Sequence, residues 1–152
     1  MSDDGYVRSA QRIIPAPPEA IFAVLTDPER HREIDGSGTV RGVRASDRPL
    51  TSGSSFDMHM RRGFAYSTRS TVTEFEPGRV IAWQTRPLTL PLPWFIGGRT
   101  WRYELEPVDG GTRVTETWDL RAERNRALVR PLAGDPERDM AQTLERLERL
   151  VT

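Results

Sequence analysis

WRYELEPVDGGTRVTETWDL, residues 101–120, consists of two alternating runs joined at Asp109-Gly110. Asp-Gly is a strong signal for a two-residue hairpin turn. Such a turn pairs Val108 with Gly111, so opposite residues sum to 219. That register sets Leu105 against Val114, Tyr103 against Glu116, and Trp101 against Trp118 on one face. The other face receives Glu106 against Arg113 and Arg102 against Thr117. One face is aromatic and apolar and the other charged, the pattern of a half-buried antiparallel sheet. Glu116 is the exception on the apolar face.

The same grammar extends towards the N-terminus. Pro77-Gly78 separates RSTVTEF from RVIAWQT. Gly53 precedes SSFDMHMR, where Phe56, Met58 and Met60 alternate with Asp57, His59 and Arg61, so His59 points outward. From about residue 38 to 120 the chain reads as about six strands divided by turns. Residues 88–98, LTLPLPWFIGG, interrupt this pattern, because their prolines and paired glycines forbid a regular central strand. This segment is expected to be a packed loop or a lid over a cavity.

Before the strands, residues 6–14 read as a first strand ending at Pro15. Pro17 and Pro18 suit the first turn of a helix, with Ile21, Val24 and Leu25 at helical spacing. A second short helix follows, capped either by Thr26 with Glu29 or by Asp27 ahead of Pro28, and stopped at Gly36. After the strands, Asp135-Pro136 opens a long helix with Met140, Leu144, Leu147 and Val151 in one stripe. Residues 121–134 read as an earlier helical turn broken at Pro131. A strand meander of this length curls, and the long helix has only its concave face on which to bury the stripe.

Composition sets the outer bounds. The chain of 152 residues is expected to be a single domain over residues 1–152. Its 22 basic and 22 acidic residues cancel and are interspersed, which argues against nucleic acid as a partner. Cysteine is absent and there are only two histidines, so thiolate chemistry is excluded and neither a metal nor a cofactor is expected. The N-terminal residues are acidic and polar, and no run approaches the roughly 20 apolar residues of a membrane span. A bacterial cytoplasmic protein without integral membrane association is expected.

Three segments carry a family resemblance. IIPAPPEAIFAVLTDPER at 13–30 looks like the strand–helix–helix opening of the START-like (SRPBCC) superfamily, EFEPGRVIAW at 74–83 like its middle hairpin, and residues 101–120 like its last. The superfamily includes the bacterial polyketide cyclase/dehydrase family. The resemblance implies an α+β helix-grip fold: a seven-stranded curved antiparallel sheet wrapped around a long C-terminal helix, two short helices after strand 1, and a ligand tunnel between. It supplies no transferable catalytic motif.

The expected occupant is a small hydrophobic or amphipathic molecule such as a lipid, an isoprenoid or a polyketide-like compound. Its expected contacts are Met58, Met60, Val72, Trp83, Trp94, Trp101, Tyr103, Glu116, Trp118 and Leu144. Glu116 has three options: an arginine partner, protonation by desolvation, or a polar ligand group, and a purely structural hydrogen bond to Tyr103 or an internal salt bridge stands beside a role as ligand anchor or acid/base. Catalytic candidates for a cyclase/aromatase or dehydratase are Glu116, Tyr103, His31 and Asp35. His31 reads as a surface residue on its short helix, where Asp35 at i+4 would orient it. A partner protein at the 88–98 loop is a third reading without support from charge or a spare helix stripe.

Overall fold

The computed structural model describes residues 5–88 and 96–152. Seven antiparallel strands form one curved sheet: β1 Val7–Ile14, β2 Val40–Ser46, β3 Ser55–Arg62, β4 Phe64–Glu76, β5 Val80–Pro87, β6 Arg99–Val108 and β7 Gly111–Asp119. Their order is β1-β7-β6-β5-β4-β3-β2, so every neighbour is a hairpin partner except β1, which closes onto β7. The helices are α1 Pro18–Leu25, α2 His31–Ile34, α3 Arg126–Leu132 and the long C-terminal α4 Pro136–Val151. A single 3-10 turn, Pro28–Arg30, joins α1 to α2. The fold is α+β, with the sheet wrapped around α4. No helix among the described residues is long and apolar enough to cross a membrane.

The last hairpin has the register that its turn dictates, including Trp101 opposite Trp118 and Tyr103 opposite Glu116. Asp27, not Thr26, caps the 3-10 turn by accepting the Glu29 N–H at 3.2 Å. Thr26 instead turns its hydroxyl back to the Phe22 carbonyl at 3.0 Å. Asp135 caps α4 by accepting the Arg138 N–H at 3.1 Å. Pro131 does not break α3; it lies inside the last turn, one residue before the helix ends.

α4 is held on the concave face by apolar and polar contacts together. Met140, Leu144 and Leu147 are fully buried. Two side chains of β1 reach across to it: Arg12 to Glu148 at 2.7 Å and Arg8 to Glu137 at 3.4 Å. Gly36 lets α2 abut it, since a Cβ there would stand 2.1 Å from the Asp139 carbonyl oxygen. The Gly36 N–H also donates to the Thr143 hydroxyl at 2.9 Å.

The space between α4 and the sheet is filled unevenly. α1 plugs one end, where Ile21, Phe22 and Leu25 join Val72, Leu105, Leu144 and Leu147 in the main core. A smaller cluster of Trp118, Leu120, Val129 and Met140 lies under α3. Between the two the groove stays hollow.

Candidate functional site

The hollow is a cavity of about 530 Å³, within the size range of small-molecule sites. Alternation on each strand decides which side chains face it. β3 contributes Phe56, Met58 and Met60, β5 contributes Trp83 and Thr85, and β6 contributes Arg99, Trp101 and Tyr103. β7 adds Glu116 and Trp118, and α2 adds His31 and Asp35.

Seven of the ten residues expected to touch a ligand therefore stand in the wall: Met58, Met60, Trp83, Trp101, Tyr103, Glu116 and Trp118. Val72 and Leu144 do not. Both face inward as alternation and helix stripe require, but at the end that α1 has filled, so they are core. Trp94 lies outside the described residues, as does most of the 88–98 segment; Ile96 and Gly97 from its end reach the wall.

Glu116 is 2% exposed and accepts the Tyr103 hydroxyl on Oε2 at 2.8 Å. Its Oε1 is buried with no partner among the described residues, and no arginine pairs with it. Burial pushes the carboxyl up to about 8, against the lowering effect of the Tyr103 bond. At neutral pH the group therefore keeps its proton. Because Oε2 is already an acceptor, the proton belongs on Oε1, which makes Glu116 a hydrogen-bond donor in an apolar wall. Burial and the neighbouring Glu116 likewise raise the Tyr103 phenol well above its usual value, so it remains an O–H donor.

His31 corrects the expectation of a surface residue. It is 7% exposed, stacked on Trp83 at 5.1 Å and edge-on to Phe56 at 5.3 Å. The 3-10 turn directs α2 so that its first side chain enters the cavity wall. Its Nε2 lies 2.9 Å from the Leu25 carbonyl, which can only accept, so Nε2 carries the hydrogen. Burial lowers the imidazole pKa and keeps it neutral. Nδ1 is then a lone-pair acceptor.

Asp35 does not orient His31. Its Oδ1 accepts the Ser37 N–H at 3.0 Å and hydroxyl at 2.7 Å, and its Oδ2 accepts the Val40 N–H at 2.8 Å. The carboxylate is occupied in shaping the turn after α2. His59 is exposed on the opposite face.

Polar members of the wall that the sequence reading did not single out include Arg62, Arg99, Glu123, Asp139 and the hydroxyls of Thr68, Ser70 and Thr85. Arg99 was detectable: it stands two residues before Trp101 and therefore on the same face of β6. Ser70 and Thr85 bond each other at 2.8 Å, which satisfies two hydroxyls in an otherwise apolar region. No group of three His, Asp or Glu residues converges as a metal site among the described residues. The arrangement can enclose an apolar body, donate a hydrogen bond from Glu116 and accept one at His31.

Residues 8–152 match the family described as polyketide cyclase / dehydrase and lipid transport. The uncharacterised protein Rv0088 of Mycobacterium tuberculosis is 40% identical over 111 residues, which are 72% of this chain and 45% of that protein. The chain thus spans about half the length of the curated relatives it matches. Among solved structures, protein CV1439 from Chromobacterium violaceum has a TM-score of 0.73 at 20% identity, covering 96% of each chain. The di-domain ARO/CYC StfQ of the steffimycin biosynthetic pathway has a TM-score of 0.69 at 14% identity, covering 99% of this chain and 52% of that one. At these identities the likeness to both structures is one of fold.

Proposed function

The chain belongs to the polyketide cyclase/dehydrase and lipid transport family, and on that premise we propose that its cavity binds one small amphipathic molecule. One observation carries the reading: the buried Oε1 of Glu116, without a partner among the described residues, in a wall of Trp83, Trp101, Trp118 and Met58. A carboxyl kept there at the cost of desolvation is expected to meet an oxygen of the ligand. Neutral His31 supports the same reading, since its free acceptor nitrogen matches a ligand hydroxyl.

The tryptophans provide the assay. Quenching of their emission by dodecanol should saturate with wild-type protein, and Glu116→Gln, which keeps a donor, should bind within a few-fold of it. Glu116→Leu, which removes the donor, should lose roughly 5- to 20-fold in affinity. Binding unchanged in Glu116→Leu would remove Glu116 from the site, and no saturable quenching would remove the cavity reading.

A second reading is an enzyme of the aromatase/cyclase or dehydratase type. The likeness to StfQ and the position of Glu116 near neutrality favour it, because a carboxyl titrating at about 8 suits a general acid. Glu116→Gln separates the two readings. A binding protein keeps its function in that variant, whereas an enzyme loses turnover of a polyketone substrate by 100-fold or more while still binding it.

A further inference from the structure

Asp35, Arg62, Glu123 and Asp139 also line the concave wall, but the charged group that bears on the ligand is Arg99, used neither by the core nor by the Glu116–Tyr103 pair. Arg99 opens β6 and lines the cavity. Its Nε is buried without a hydrogen-bond partner, and its guanidinium forms no ion pair among the described residues. Glu123 is the nearby acid that attracts it, but that carboxylate is buried and occupied with the Gly97 N–H. Arg62, also nearby, adds a like charge, and its Nη1 is held by the Leu132 carbonyl at 3.0 Å. Tyr66 completes the titratable surroundings.

Leaving the Nε of a guanidinium buried without an acceptor is unfavourable. Even the more exposed arginines of the sheet find acids: Arg69 holds Asp57, Arg102 holds Glu74, and Arg113 holds Glu106. A partner for Arg99 is therefore sought in what the cavity contains.

Resting on the reading of this cavity as a ligand site, we propose that Arg99 grips the acidic head group of the ligand, which is an amphipathic carboxylic acid. The planar fork of a guanidinium matches a carboxylate through two parallel N–H bonds. Along β6, four residues separate Arg99 from Tyr103, about 13 Å of strand. The head group thus sits at the Arg99 end, with exposed Phe64 and Leu132 at the rim. The chain runs past Trp101 to Glu116 at the other end, where an oxygen on that chain would be read. A cavity of about 530 Å³ suits a single chain of this length.

Tryptophan-quenching titrations with dodecanoate, dodecanol and dodecyl phosphate test the assignment. Wild-type protein should prefer dodecanoate over dodecanol by roughly 10- to 100-fold. Arg99→Gln should bring that ratio close to one while leaving dodecanol affinity within about threefold. Arg99→Lys, which keeps the charge and loses the fork, should retain part of the preference. It also serves as the deciding variant should Arg99→Gln fail to fold. An acid-to-alcohol ratio unchanged in both variants overturns the proposal, and so does equal binding of acid and alcohol by the wild type. Tighter binding of dodecyl phosphate than of dodecanoate overturns the carboxylate class. If none of the three binds the wild type, the cavity reading fails and the proposal with it, an outcome distinct from loss of the acid preference alone.

Discussion

The convex face of the sheet and the wall of the cavity carry the same charged residue types and satisfy them to different degrees. On the convex face Arg102 contacts Glu74 at 2.9 and 3.2 Å and Glu104 at 3.1 Å. Arg113 reaches Glu106 at 2.7 Å, and Arg69 grips Asp57 with two bonds at 2.9 and 3.0 Å. On the concave face Arg8 and Arg12 reach Glu137 and Glu148 of α4, but inside the cavity Glu116 has one tyrosine and the Nε of Arg99 has no partner among the described residues. The two groups share a face, yet strand spacing holds them apart with Trp101 between. On the proposed reading these are the positions where the wall meets a ligand, and four substitutions test the contrast.

The largest effect should come from Glu116→Gln, read by urea unfolding against pH. The folded state holds a proton on Glu116 up to about pH 8, whereas the unfolded chain releases it near 4.5. Between those values the native state binds more protons, so stability falls as pH rises, by up to tenfold in the folding equilibrium per pH unit. The Gln variant cannot titrate and should lose this slope, matching wild type near pH 4 and exceeding it at pH 8. A variant with the wild-type slope would place the titration elsewhere.

Next in size is Tyr103→Phe. It leaves the second oxygen of Glu116 without its donor, at a cost of about 1–3 kcal/mol. Because that bond lowers the carboxyl, its loss should also move the alkaline limb of the stability curve to higher pH. An unmoved limb would mean the bond does not form in solution.

Arg99→Leu should act in the opposite direction. Replacing a guanidinium whose buried Nε has no partner among the described residues with an apolar side chain is expected to raise the stability of the ligand-free protein by about 1 kcal/mol. A loss of stability instead would show that Arg99 has a structural partner.

The smallest effect belongs to the convex face. Arg102→Gln gives up exposed pairs worth less than about 1 kcal/mol, and even that should vanish in 1 M salt. A salt-independent loss of more than about 2 kcal/mol would erase the distinction between the faces.

Much of the frame was readable in the residues. The hairpin register came from one Asp-Gly turn, because a two-residue connection leaves no freedom in which residues pair. The α4 cap and its stripe came from Asp135-Pro136 and the spacing of Met140, Leu144 and Leu147. Those are interactions between near neighbours in the chain. The position of Glu116 on the apolar face followed from the same alternation, and so would that of Arg99, had the period been carried two residues further back.

The strand faces, the caps and the family resemblance are legible in residue order alone, since each is set within a few residues or by a turn. Which inward side chains line a hollow and which lie in packed core depends on how distant elements pack. Val72 and Leu144 face inward as surely as Met58 and Tyr103, but α1 fills their end of the groove. The 3-10 turn brought His31 from an expected surface into the wall, and Asp35 was taken up by the N–H groups of Ser37 and Val40. Whether a buried charge is paired depends on which side chains from distant elements come within reach of it. That is a matter of three-dimensional distance, which no local pattern encodes.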